Sequence, residues 1–382
     1  MTFDWSGTPV PFMNLGIQRD EIAAEVSEGF ARVLDTTAFV GGPDVAAFEE
    51  AYAAYCGTAY CVGVGNGTDA LELALAAHGI GPGDEVVIPA NTFIATAEAV
   101  ERVGADVILV DCDERYLINI DAVKSTLTER TRAVIAVHLY GQLVDIPSLR
   151  AAVGPGVLVV EDAAQSQGAR STQGTSGGLG DIGATSFYPG KNLGAFGDAG
   201  AVTTNDPAVA TRLRRLRNHG GEGRHEHALV GRNSRLDPLQ AVVLRAKLAR
   251  LDIWNAQRRL VANRYTTLLA DAPDIGLPQS PDPLAHVWHL YVVQVPHREA
   301  VMAALQEAGI GSGIHYSAPI HLLPAFAHLG LAVGAFPVAE AAADRILSLP
   351  MFPGMTAEQV DRVVTALVVA VDNAPDTVGA PA

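Results

Sequence analysis

Apolar and polar positions follow two rhythms along this chain. Short runs dense in Val, Ile and Leu read as strands buried on both faces: EVVIPA (85–90), ADVILVDCD (105–113), RAVIAVHLY (132–140) and VLVVEDAA (157–164). Between them lie stretches with apolar residues at helical spacing: TDALELALAAH (68–78), TFIATAEAVERVG (92–104), IDAVKSTLTER (120–130) and IPSLRAAV (146–153). GVG (63–65), GATSFYPG (183–190) and GAVTTN (200–205) add further strands. Helices are predicted over 207–218 and, as one long element, 237–268. Strands alternating with helices of this length imply an α/β fold, a largely parallel sheet with helices on both faces. Near residue 270 the texture changes through DAPDIGLPQSPDP. A strand (286–296), a helix (299–309), a turn-rich stretch (309–336) and a last helix (356–373) follow. The reading is therefore two domains, 1–270 and 271–382.

Composition supports a folded protein and narrows its partners. Of 382 residues 49% are hydrophobic and 18% charged, enough apolar matter for a large core. No run approaches the roughly 18 apolar residues of a membrane span, and Met1–Asp4 lack the pattern of a signal peptide. The net charge of −16 disfavours nucleic acid. Three cysteines (Cys56, Cys61, Cys112) without a Cys-x-x-Cys pair speak against disulfides and thiolate metal sites, and for a cytoplasmic location.

Only three of the 26 basic residues are lysine: Lys124, Lys191 and Lys247. Lysine alone among the cations loses its proton readily and can condense with an aldehyde. Lys124 and Lys247 lie in helical patterns and read as solvated helix positions. Lys191 follows a strand-like run, among glycines and a proline, as a loop residue or something more. GVGNGTDALELAL (63–75) is a glycine-rich turn opening a helix near Thr68. Free N–H groups and the helix dipole make such a turn a phosphate seat, or else Asn66 or Thr68 simply caps the helix. It matches neither the Walker loop nor the dinucleotide fingerprint. VLVVEDAAQSQG delivers Glu161 and Asp162 to a strand end, where open α/β sheets bind ligands, unless Asp162 is an N-cap. SFYPGK places Ser186 and Lys191 at another strand end. A phosphate seat, an acid and a strand-end lysine, in that order, jointly suit pyridoxal 5′-phosphate (PLP): the lysine binds the aldehyde and the acid keeps the pyridine nitrogen protonated.

These blocks, with FVGGPDVAAFEEAYAAYCG, IPANTFIATAEAV, VHLYGQ, GRNSRLDPLQA and GIHYSAPIHLLPAF, resemble the DegT/StrS-type sugar aminotransferases over nearly the whole chain. The last two look most like sugar-nucleotide 3-aminotransferases. The resemblance implies fold-type I architecture: a large domain with a mostly parallel seven-stranded sheet and a smaller C-terminal α/β domain. It implies Lys191 as Schiff-base lysine, Asp162 as pyridine partner and Gln165 at the ring oxygen. Thr68, Asp69 and Ser186 would hold the phosphate, and Phe93 would stack on the ring. Asn233 would reach the phosphate of a neighbouring subunit in a homodimer. Tyr188, His315, Tyr316 and His321 would line the sugar-nucleotide side, although by themselves the last three read as surface loop residues without metal-ligand spacing. Arg224, in the basic island 212–227, is a candidate for the nucleotide pyrophosphate. The implied reaction is transfer of an amino group from L-glutamate, leaving 2-oxoglutarate, to a nucleotide-linked, dTDP-type 3-keto-6-deoxyhexose, in deoxyaminosugar, antibiotic or polysaccharide biosynthesis. The alternatives are a 4-ketosugar nucleotide or cyclitol ketone as acceptor, or a non-catalytic PLP-binding regulator. Gly190 and Gln165–Ser166 depart from residues common in relatives.

Overall fold

Three helices precede the first strand of the protein: α1 (Leu15–Glu21), α2 (Ala23–Thr36) and α3 (Pro43–Cys56). The structure, a computed structural model, describes residues 8–221, 226–280 and 282–374. After α3, strand and helix alternate: β1 (Tyr60–Val64), α4 (Gly67–Ala77), β2 (Glu85–Pro89), α5 (Ile94–Val103), β3 (Asp106–Val110), α6 (Ile120–Thr126), β4 (Thr131–Val137), α7 (Ile146–Val153) and β5 (Leu158–Asp162). A small hairpin, β6 (Arg170–Ser171) and β7 (Gly174–Thr175), leads to β8 (Ile182–Ser186) and β9 (Gly200–Thr204). Helices α8 (Pro207–Leu216), α9 (Pro238–Leu248) and α10 (Leu251–Leu268) follow. The chain then forms β10 (Tyr291–Gln294), α11 (Arg298–Glu307), α12 (Pro337–Arg345), β11 (Ile346–Leu349) and α13 (Ala357–Asp372).

The main sheet has seven strands in the order β1-β9-β8-β5-β4-β2-β3. All its pairings are parallel except those of β9, which runs antiparallel to both β8 and β1. The α/β architecture expected from the alternating pattern is therefore the observed one. The carboxyl ends of β1, β2, β4, β5 and β8 share one edge of the sheet, and the functional residues collect there. Local signals set the helices between them. Asn66 caps α4 by accepting from the Asp69 N–H at 2.8 Å, and Asp145 caps α7 by accepting from Ser148 at 3.1 Å. In α4, Ala70, Leu71, Leu73, Ala74 and Leu75 are all buried, because the helix is covered on more than one side.

A second core forms around the β10–β11 pair, α11 and α13. It draws in Val261, Ala262 and Tyr265 from the second half of α10, and Val10, whose backbone bridges to Ile310. Among the described residues no helix is long and apolar enough to cross a membrane.

The structure corrects several sequence expectations. The helix expected over 237–268 breaks between Leu248 and Leu251 without Pro or Gly. Arg250 takes up the break, donating to the Ala246 carbonyl at 3.0 Å, and Trp254 Nε1 can then reach Glu21 at 2.9 Å. Lys247 is not a solvated helix position. It is 2% exposed, with its ammonium 5.2 Å from the Phe196 ring centroid. The strand expected over 286–296 is only Tyr291–Gln294. Before it the chain coils, with His286 and Trp288 stacked at 3.8 Å. The helices before β1 and the α12–β11 pair were not assigned from sequence. In α3, however, Val45, Phe48, Tyr52 and Cys56 are buried at helical spacing, so that signal is present.

Candidate active site

Period-two alternation sends the two acids at the end of β5 to opposite faces. Glu161 points into the protein. It accepts from the backbone N–H groups of Gly177, Leu179 and Gly180 at 2.7–2.8 Å. His138 also reaches it, Nε2 to Oε2 at 2.9 Å. Because the Val144 N–H donates to His138 Nδ1 at 3.0 Å, the ring proton sits on Nε2 and points at the carboxylate. Glu161 thus fastens the loop leading to β8 and does not face the cavity.

Asp162 faces the other way, into a cavity of about 720 Å³ at the strand ends. Its Oδ2 accepts from Thr96 Oγ1 at 2.9 Å and its Oδ1 from the Ala164 N–H at 3.2 Å. Thr96 lies one turn beyond Thr92 near the start of α5, the two hydroxyls 2.7 Å apart. Burial pushes the Asp162 carboxyl above its ordinary range, while Thr96, Ala164 and the charge of Lys191 pull it back. A buried carboxylate so placed requires a cation opposite it.

Lys191 supplies an opposing positive charge. The chain leaves β8 at Ser186 and turns through Tyr188–Pro189–Gly190, with the Lys191 N–H donating to Tyr188 O at 2.8 Å. Gly194 lets this loop fold on itself, because a Cβ there would stand 2.2 Å from the Pro189 oxygen. Lys191 is half-buried and opens onto the cavity. Burial brings its ammonium down to about 8, against the opposing pull of Asp162.

The third part of the site is the start of α4. Asn66 occupies the Asp69 N–H, and the N–H groups of Gly67 and Thr68 stay open toward the cavity. A Cβ on Gly67 would meet Ser186 Cβ at 2.5 Å, so only glycine lets the helix start close on that hydroxyl. Backbone N–H groups, a helix N-terminus and the Ser186 hydroxyl form a cradle that fits a phosphate. With Lys191 and Asp162 they are the donor set PLP requires, and the cavity fits the cofactor. Held there, it would have its phosphate at Gly67, Thr68 and Ser186, its ring nitrogen at Asp162 and its aldehyde carbon at Lys191.

Ten of the residues singled out by sequence line this one cavity: Thr68, Asp69, Phe93, Asp162, Gln165, Ser186, Tyr188, Lys191, His315 and Tyr316. Gln165 is held at both ends, accepting from the Tyr140 N–H at 2.6 Å and donating to Tyr316 Oη at 3.1 Å. Phe93 and Tyr316 lie 5.3 Å apart by ring centroid. His315 stacks on Phe12 at 5.7 Å, its Nδ1 sits 2.9 Å from Ser348 Oγ, and burial pushes its ring down to about 4, so it is neutral. Two residues are elsewhere. His321 is buried against Phe336, with Nε2 2.9 Å from Glu340. Asn233 is exposed, its backbone bridged to Asn218. Arg224 lies outside the described residues. Sequence reading missed Thr96 and His289. For Thr96 the signal was available, two threonines four apart at the start of a helix. For His289, which lines the cavity from the coil before β10, it was not.

The profile of the DegT/DnrJ/EryC1/StrS aminotransferase family matches residues 20–368. The erythromycin biosynthesis sensory transduction protein EryC1 of Saccharopolyspora erythraea is 46% identical over 360 residues, covering 94% of this chain and 98% of that protein. The dTDP-3-amino-3,4,6-trideoxy-alpha-D-glucose transaminase of Streptomyces venezuelae is 45% identical over 360 residues, covering 94% and 95%. The solved structure of S. venezuelae DesV in complex with a ketimine intermediate superposes with a TM-score of 0.93 at 44% identity, covering 96% of this chain and all of that one.

Proposed function

The chain belongs to the DegT/DnrJ/EryC1/StrS aminotransferase family, whose members depend on PLP, and on that premise we propose that it moves an amino group from L-glutamate to the 3-keto group of a nucleotide-linked 6-deoxyhexose in deoxyaminosugar biosynthesis. A dTDP-linked acceptor is favoured by the transaminase relative from S. venezuelae, which is named for a dTDP-sugar. The observation that carries the reading is the Lys191 amine in one cavity with the Asp162 carboxylate and the cradle of Gly67, Thr68 and Ser186.

Bound PLP supplies an electron sink that makes the donor's Cα–H acidic. The protein's part is to hold and move protons. Asp162, braced by Thr96, would keep a proton on the ring nitrogen by staying ionised beside it. Lys191 Nζ, brought down to about 8, is close enough to neutrality to take the donor's Cα proton, and it would deliver that proton two atoms away, across the nitrogen, to the carbon it had itself held. Its tether to the cavity floor makes the transfer effectively unimolecular. Tyr188, His315 and Tyr316 also line the cavity, and would face the sugar. We propose a cytoplasmic homodimer in which the exposed Asn233 reaches the phosphate cradle of the second subunit.

The test is the visible absorbance spectrum of the protein with PLP, before and after L-glutamate. The band of the lysine-bound cofactor is expected to give way to that of the amine form. A band that ignores glutamate removes the donor from the proposal, and no band at all removes Lys191.

A further inference from the structure

Beside Lys191 runs a chain of side-chain amides that ends on an imidazole. Asn255 donates through Nδ2 to the Gln167 carbonyl at 2.9 Å, so its Oδ1 is free to accept from Asn192 Nδ2, also at 2.9 Å. Asn192 Nδ2 gives its other hydrogen to the Val287 carbonyl at 3.0 Å. With both N–H bonds committed, Asn192 meets His289 Nδ1 through Oδ1, at 3.2 Å. An amide oxygen only accepts, so Nδ1 carries the ring proton and Nε2 carries a lone pair. Asn192, Asn255 and His289 are all buried, which makes this tautomer costly to reverse. The backbone beneath the ring is fixed as well: Arg258 Nη1 donates to the carbonyls of Trp288, His289 and Met351 at 3.1–3.3 Å. His289 Nε2 has no hydrogen-bond partner among the described residues, and the ring lines the same cavity as Lys191.

We propose that His289 is a positioning residue whose Nε2, unpaired among the described residues, accepts a hydrogen bond from the Lys191 amine when the uncombined lysine side chain swings toward it, holding Nζ at the cavity floor with its lone pair turned toward substrate. The sequence signal is slight, because Asn192 and His289 are 97 residues apart. Asp162 from the end of β5, His289 from the coil before β10, and His315 and Tyr316 line the cavity with Lys191. Arg258 and His286 stand behind His289. Burial first, then the charges of Lys191 and Arg258, push the His289 ring well below its usual range, so no proton competes for Nε2 near neutrality. An acceptor there favours the protonated lysine and offsets part of what burial takes from it.

The meaning of this contact rests on Lys191 as the lysine of the reaction, but its test reads Lys191 directly. The full-length protein without cofactor is labelled with acetic anhydride across a pH series, and the Lys191 peptide is followed by mass spectrometry against exposed Lys124. In His289→Leu the Lys191 midpoint is expected to fall by about one pH unit, a labelling rate about tenfold higher at pH 6. His289→Gln, whose Oε1 can accept, is expected to stay within about threefold of wild type, with Lys247 unchanged in both. Equal Lys191 rates in wild type and His289→Leu overturn the proposal, as does a shift in His289→Gln as large as in His289→Leu. If the variants do not fold, the histidine nitrogens of the wild-type protein decide. An unprotonated Nε2 on His289, assigned through its backbone, supports the proposal, and a protonated Nε2 overturns it. Failure of the spectral test with intact labelling shifts would instead sink only the cofactor assignment.

Discussion

Lys191 is half-buried and Lys247 buried, and burial brings both ammonium groups down to about 8. Their surroundings separate them. Lys191 opens onto a cavity that also holds Asp162, two neutral imidazoles and the start of α4. Lys247 lies on α9 against the Phe196 ring, with no carboxylate partner among the described residues. A depressed lysine is therefore not in itself a reactive one. Chemistry needs space for a substrate, a counter-charge matched to the reacting group and a geometry that repeats at each turnover.

Three substitutions test that contrast. Lys191→Ala is expected to lower turnover by at least ~10⁴-fold, since it removes both the covalent attachment and the proton carrier. Cofactor binding, followed by fluorescence titration, should persist through the phosphate cradle and Asp162. Substantial aminotransferase activity in this variant would show that the two lysines had been assigned the wrong way round. Asp162→Asn keeps shape and loses charge. The half-reaction with glutamate, measured by stopped flow, is expected to slow by roughly 10²–10³-fold, because a neutral amide cannot hold the ring-nitrogen proton. A rate within threefold of wild type would mean that the acid is structural, like Glu161.

Lys247→Met should leave turnover within about twofold and act on stability. The folded-state value of about 8 lies below the ordinary 10.5, so the unfolded chain binds more protons between those values. The cost of burying the charge, on the order of 3 kcal/mol, is present in full below about pH 8 and fades as pH rises toward 10.5. Loss of the contact with Phe196 offsets part of the gain. Urea unfolding is expected to find the variant about 1–2 kcal/mol more stable at pH 7 and equal to wild type near pH 10.5. A gain independent of pH would mean that Lys247 holds its proton equally well in the folded and unfolded chain, so that burial does not shift it.

The contrast also shows where sequence reading stops. The loop context of Lys191, between a strand-like run and glycines, distinguished it from the two lysines in helical patterns. For Lys124 that reading agrees with an exposed side chain. For Lys247 it failed, because periodicity on α9 reports which residues share a helix face but not what covers the face. The break after Leu248 was hidden for a similar reason. It is set by Trp254 reaching Glu21 and by Tyr265 joining the second core, and neither contact leaves a Pro or Gly in the sequence.

The alternation of strand and helix, the α/β class and the order of phosphate turn, acid and lysine were all legible in the residues, because each depends on neighbours within a few positions. The partners that make the site specific were not. Thr96 reaches Asp162 across 66 residues, and His289 reaches Asn192 across 97. Such pairs meet only once the strands have taken the order β1-β9-β8-β5-β4-β2-β3 and the coil before β10 has packed over their ends. Local periodicity carries no information about which distant segment arrives beside a given strand end. That choice is made by the burial of the hydrophobic cores, and it decided which carboxylate, which hydroxyl and which imidazole share the cavity with Lys191.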